Sequence, residues 1–405
     1  MKKLLSFLCL AMFIGSVCNA ETVIPYNPET NEPFKVETFD GFSGDVTITI
    51  PAGNVIVFDA TLTIPNGVNL VVKGEEGSSA VVFPVNKMSF AANTTSGSLM
   101  YDNIEFNTGG AVYIQVNTNC VIDKVAFKGC TFTKINNNLL RMDANSGVLK
   151  QIVVEECMFT EVAMNSGGDI IRANASNAII ENILVDKCTF NNISRSLINH
   201  SAANNVSTTV SNCTFYEFGA TSQSLIHYGQ NYKPTNGLTI SNCVFGKTTN
   251  SNGRALAIKT DAMVTVTNSY TTSDYSIASG FAIPDLITTY TGSSADLFKD
   301  IASGDFKIKD EEFAGKNSAG DPRWYYSSGT GTNVESASKN EIDVRFGAEG
   351  IEILADSANT KVYTVNGVLV SQTSANYIDS SSWTKGLYVV IVEVNGQVFK
   401  YKYLR

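Results

Sequence analysis

From residue 120 to residue 271 the chain repeats one arrangement of apolar and polar positions six times. Each copy holds two apolar residues in alternation, two polar ones, a small residue, any residue and an aromatic. Val125-Ala126-Phe127-Lys128-Gly129-Cys130-Thr131-Phe132 is the first copy. The next four end in Cys157-Met158-Phe159, Cys188-Thr189-Phe190, Cys213-Thr214-Phe215 and Cys243-Val244-Phe245. In the sixth, Ser269-Tyr270-Thr271 led in by Asn268, serine stands for cysteine and tyrosine for phenylalanine. Successive copies lie 27, 31, 25, 30 and 26 residues apart. Self-similarity at that period is the mark of a solenoid, in which each unit buries its apolar face only by stacking on the next.

The alternation inside a copy says how the chain runs. Apolar residues or Thr sit five and three places before each cysteine or its serine: Ile152 and Val154, Ile183 and Val185, Thr208 and Val210, Leu238 and Ile240, Val264 and Val266. The cysteine and the aromatic two places on continue the alternation with its parity shifted by one. Two strands with one buried face each, joined by a sharp corner, fit that slip. The corner position is Gly129, Asn212, Asn242 or Asn268 in four copies, the residue types that accept a left-handed backbone; Glu156 and Lys187 suit it less well. A third strand per coil is predicted at Leu139-Leu140, Ile170-Ile171, Leu197-Ile198, Leu225-Ile226 and Ala257-Ile258. The predicted fold is all-β: a parallel β-helix of three-strand coils of about 28 residues, right-handed by the crossover rule.

The flanks divide the chain further. Residues 1–20, with Lys2, Lys3, an apolar run and Ala20 before Glu21, read as a signal peptide, so the protein is expected to be secreted or at the cell surface. Residues 21–118 read as an N-terminal cap and first coils, including the strands before the Pro-x-Gly turns at Pro51 and Pro65. The regular coils span 119–275, and the aromatic-bearing segment 276–326 is expected to cover the open end. Residues 327–340 form a Ser/Gly-rich linker. Residues 341–405 read as a small antiparallel β-sandwich with turns at Asn366-Gly367 and Asn395-Gly396.

Export would make cysteines candidates for disulfides, yet five share one register of the repeat. Side chains stacked ~4.8 Å apart do not meet the ~3.8 Å Cβ separation of a disulfide. Cys130, Cys157, Cys188, Cys213 and Cys243 are therefore read as a ladder of small buried thiols. The net charge of −9 argues against nucleic acid as a partner, and no later apolar run is long enough to span a bilayer.

Two families resemble parts of the chain. The Cys-x-Phe coils and the segments Gly304-Asp305-Phe306-Lys307-Ile308 and Gly320-Asp321-Pro322-Arg323-Trp324 are similar to uncharacterised secreted proteins of the pectin-lyase-like superfamily. That resemblance implies a right-handed β-helix and an association with polysaccharide, without an assigned reaction. The C-terminal unit resembles the sorting domains of type IX secretion in Bacteroidetes-like bacteria, through Val362-Tyr363, Lys385-Gly386-Leu387-Tyr388-Val389-Val390 and basic Lys400 and Lys402. It implies outer-membrane surface attachment. The Gly-His-Gly and Arg-Ile-Lys motifs of polygalacturonase-like hydrolases are absent from the sequence.

Candidate chemistry falls on the third strand. Alignment on its apolar pair brings Arg141, Arg172, Asn199, His227 and Lys259 into one row, with His200 and Tyr228 one residue beyond. The chain's two histidines stand 27 residues apart, about one coil. A mostly basic row on an acidic protein suits an anionic glycan, gripped through Arg141, Arg172, Asn199, His227 and Lys259 with Tyr228 stacking on a sugar ring. A lyase on the same face would draw its base from Arg172, His200, His227 or Lys259. Calcium, the one cofactor the sequence suggests, would bind through Asp143 and Asp169, two carboxylates where six or more oxygens are wanted. The alternative is a solvated basic face, which is what charged rows usually are, on a structural or adhesive solenoid with no glycan ligand. The chain is read as a monomer.

Overall fold

The computed structural model describes residues 22–327 and 343–404, apart from residues 28, 30–31, 33, 35–38, 40, 58–60, 76–79, 84–86, 110–113, 143–146, 164–167, 176, 220–223, 288–289, 347–349, 355–358, 365–368, 385 and 395–396. The expected signal peptide, nearly all of the linker, the two Asn-Gly turns and Asp143 lie outside the described residues. Two compact units divide the chain, residues 1–328 and 329–405.

The first unit is a parallel β-solenoid of about eight turns. Among the described residues its three sheets contain 11, 9 and 8 strands, and their paths follow the coils in order. The first face runs from Thr22–Pro25 and Gly44–Ile50 to Val264–Thr267, the second from Val55–Val57 to Tyr270–Thr271, the third from Leu62–Ile64 to Leu256–Ala257. The segments before the Pro51 and Pro65 turns therefore belong to different faces of the first coil.

The ladder positions carry the packing. Phe106, Phe132, Phe159, Phe190, Phe215 and Phe245 are in register and fully or almost fully buried. Their rings stack at centroid distances of 4.8, 4.5, 4.7, 4.9 and 4.9 Å, set by the strand spacing. In the last copy Tyr270 pairs with Val244 and Thr271 takes the register of Phe245, so this tyrosine does not continue the ring stack.

The corners explain the cysteines. Gly129, Glu156, Lys187, Asn212, Asn242 and Asn268 all have φ between 45° and 60°, so tertiary stacking imposes the left-handed backbone even on Glu and Lys. Asn242 Nδ2 donates to Asn212 Oδ1 at 3.0 Å and Asn268 Nδ2 to Asn242 Oδ1 at 2.9 Å, an amide ladder along the edge. Each thiol follows the corner and lies 3.0–3.4 Å from the carbonyl two residues back in its own coil. Ser269 Oγ makes the same contact to Thr267 O at 2.9 Å, which accounts for serine in the last coil. Six cysteines, Cys120 included, are buried and free among the described residues, and burial pushes the Cys157, Cys188 and Cys213 thiols well above the usual range.

The segment after Tyr275 follows two paths. Residues 277–287 continue past the last coil, with Ala255 and Leu256 N–H donating to Phe281 O and Thr271 N–H to Ile287 O. Residues 294–324 turn back along the outer side of the second face, where Leu297, Phe298, Phe306, Ile308 and Phe313 bury Val244 and Tyr270. Asp321 seals that return: Thr189 Oγ1 donates to its carboxylate at 2.7 Å and its own N–H donates to Thr214 Oγ1 at 2.9 Å.

The C-terminal unit holds a three-stranded and a four-stranded antiparallel sheet. Ile351, Ile353 and Ile378 of one and Val362, Val390 and Val392 of the other share one buried cluster. No helix among the described residues is long and apolar enough to cross a membrane.

Candidate functional site

Strand register fixes the row on the third face. Gln115, Arg141, Arg172, Asn199, His227 and Ala257 are successive partners. The place expected for Lys259 belongs to Ala257, because Leu256 and not Ile258 pairs with Ile226. Lys259 lies two residues further on, with Nζ 3.5 Å from Asp261 Oδ2.

Three expected site residues turn out to be internal. Tyr228 is fully buried with its hydroxyl 2.5 Å from Thr208 Oγ1, so its ring cannot meet a sugar. His200 is also fully buried: Ile180 N–H donates to its Nε2 at 3.0 Å and its Nδ1 lies 3.2 Å from Ala203 O. Both ring nitrogens serve the backbone, which withdraws His200 as a base. Asn199, 2% exposed, donates through Nδ2 to Asp169 Oδ2 at 2.8 Å and accepts from Ser201 Oγ at 2.8 Å.

Burial has a consequence for His200 that its backbone partners oppose only in part. The desolvated ring is pushed down to about 4 from the ordinary 6.5. The unfolded chain therefore binds a proton near pH 6.5 that the folded chain refuses until about pH 4. Stability from this group is complete above pH 6.5 and is lost as pH falls towards 4, by up to ~3 kcal/mol. Urea melts at pH 7 and pH 4.5 should show that loss, and a stable His200→Gln variant should show less of it.

Of the remaining groups, Asp169, Arg195, His227 and Arg254 form an ionic cluster. Asp169 has no exposed side-chain surface, and its Oδ1 lies 3.4 Å from Arg195 Nε. Burial lowers the affinity of half-buried His227 for a proton; the Asp169 charge opposes that shift, while Arg254 and Arg195 reinforce it. Arg254 lies over the Phe281 ring at 4.1 Å. Arg172 Nε donates to Asn174 Oδ1 at 3.0 Å, and its backbone is in register with that of Arg141. Lys87 Nζ donates to Gln115 Oε1 at the preceding rung.

Arg195 and Arg254 were missed by aligning only the residues after the apolar pair, since they stand before Leu197 and Ala255. Asp169 is a poor calcium ligand because Asn199 and Arg195 already face its oxygens. Among the described residues no three His, Cys, Asp or Glu side chains converge as a metal site would need.

A family model described as a domain of unknown function (DUF5123) matches residues 208–324. That span holds the last coils and the returning segment, with His227 and Arg254 from the cluster. No curated protein matches the chain.

Proposed function

We propose that the protein is exported and that its third face binds an acidic polysaccharide. The observation that carries this reading is the in-register pair Arg141 and Arg172, with Arg195 and Arg254 around His227 two rungs further on and Asp169 there fully buried. A polymer laid across the coils would meet guanidinium groups on rungs ~4.8 Å apart, and each can fork onto a carboxylate or sulfate. On a chain with net charge −9, a local concentration of Arg is a recognition feature rather than a general attraction. Lys2, Lys3 and the apolar run after them support export, and the likeness of the C-terminal unit to sorting domains supports display at the outer membrane.

Retardation in gels cast with polygalacturonate, alginate or heparin tests the reading. The wild-type chain should be retarded by at least one of them, and the Arg141→Ala/Arg172→Ala double variant should lose affinity by about tenfold or more. Equal migration of both proteins in all three gels would contradict it.

A second reading, elimination from uronate units, rests on His227. Burial keeps its ring neutral and able to take a proton at neutral pH. Unsaturated product absorbing in the ultraviolet, abolished by His227→Ala, would establish it; no absorbance on any uronate polymer would leave binding alone.

A further inference from the structure

The outer side of the second face carries a cleft of ≈ 660 Å³ that the third-face chemistry does not use. One wall is the solenoid itself. Thr160, Asn191 and Tyr216 stand in register on three successive coils, and Glu161, Asn192 and Glu217 follow them at the next corner. That corner is left-handed at every step, with φ of 55°, 63° and 51°. The other wall is the returning segment, with Phe298, Lys299, Asp300, Ile301 and Ala302.

The charges select against the ligand proposed for the third face. Glu161, Glu217 and Asp300 face the cleft against Lys299, which is itself 3.3 Å from Asp305 Oδ2. Glu217 is held by Lys247 at 2.7 Å, and that ammonium lies 5.9 Å from the centre of the Tyr216 ring. An acidic polymer would be repelled here. Uncharged hydroxyls would not be: carboxylate oxygens accept from them, and the amides of Asn191 and Asn192 both donate and accept. The Tyr216 ring adds an apolar surface of the kind that sugar C–H faces pack against. Glu161 and Glu217 are two rungs apart, ~9.6 Å along the axis, so a ligand touching both is longer than one sugar ring. The volume falls within the ~300–1,000 Å³ of small-ligand sites.

We infer that this cleft is a second carbohydrate subsite, specific for a neutral oligosaccharide and independent of the third face. The full chain is titrated with cello-, xylo-, manno- and galacto-oligosaccharides, followed by saturation-transfer NMR and calorimetry. At least one series binds with Kd on the order of 1 mM or tighter. Asn191→Ala and Tyr216→Ala each weaken that binding about tenfold, while Arg141→Ala/Arg172→Ala leaves it unchanged. Tyr216 also packs edge-on to Phe306 at 5.8 Å, so its loss could loosen the returning segment. Asn191 makes no such contact and is the deciding variant. The inference is overturned if no series binds, if Asn191→Ala binds like wild type, or if the third-face variant loses the same ligand. Binding confined to basic peptides and abolished by salt would also overturn it, because it would mark the cleft as a cation site.

Discussion

Replacing Phe190 by alanine is expected to destabilise the solenoid by ~3–5 kcal/mol, the range for truncating a fully buried aromatic ring. Phe190 is fully buried and stacks on both Phe159 and Phe215, at 4.7 and 4.9 Å. Its loss opens a ring-sized cavity in mid-stack, and the coils above and below hold their separation through backbone pairing, so they cannot close on it. A solenoid is stabilised by nearest-neighbour interfaces, so the damage should concentrate in the flanking coils. Urea denaturation should show the lowered midpoint, and amide exchange should quicken first in Met158–Val162 and Thr214–Tyr216. A loss below ~1 kcal/mol would mean that the ring is not packed in a rigid column.

Asp321→Ala is expected to cost ~2–3 kcal/mol and to release the returning segment. Asp321 is buried, and its removal takes away the acceptor of the Thr189 hydroxyl and the charge partner of Arg323, whose Nη2 keeps only its bonds to backbone carbonyls such as Cys157 O at 2.9 Å. Breaking a buried pair from one side costs ~3–5 kcal/mol; the lower figure applies because the Arg323 side chain is 37% exposed. Trp324 reports the event directly, since its Nε1 donates to Thr189 Oγ1 at 2.7 Å. In a Trp383→Phe background the variant's emission should shift to the red, and proteolysis should begin within 294–326. Unchanged emission and unchanged cleavage would show that the segment is held by its apolar cluster alone.

The column was readable in the chain because its signals are local and repeated. Cysteine and phenylalanine two residues apart share one buried face, and they can share the interior with the apolar pair upstream only if the backbone bends at the residue before the cysteine. The left-handed corners at Glu156 and Lys187 were not signalled by residue type, and neither were those at Glu161 and Glu217, because stacking on neighbouring coils sets that conformation. The third-face row was readable where one polar residue follows an apolar pair, as at Arg141 and Arg172. It failed at Ala255-Leu256-Ala257-Ile258, an unbroken apolar run without alternation to fix the register.

The burial of His200 and Tyr228 is likewise not encoded in the alternation. Each comes one residue after the outward position, and pattern alone does not reveal whether the chain continues along the face or turns inward there. The return of 294–324 along the second face depends on contacts more than 100 residues apart in sequence, such as Asp321 with Thr214 and Thr189, and periodicity carries no trace of them.

The most direct measurement is the affinity of the full chain for a uronate oligosaccharide as a function of salt, for wild type and Arg141→Ala/Arg172→Ala. Binding by the third-face guanidinium groups predicts an affinity that falls steadily as salt rises, and a double variant with weaker binding and a flatter salt dependence. Wild-type and variant curves that coincide, or an affinity indifferent to salt, would contradict recognition of an acidic polysaccharide by this face.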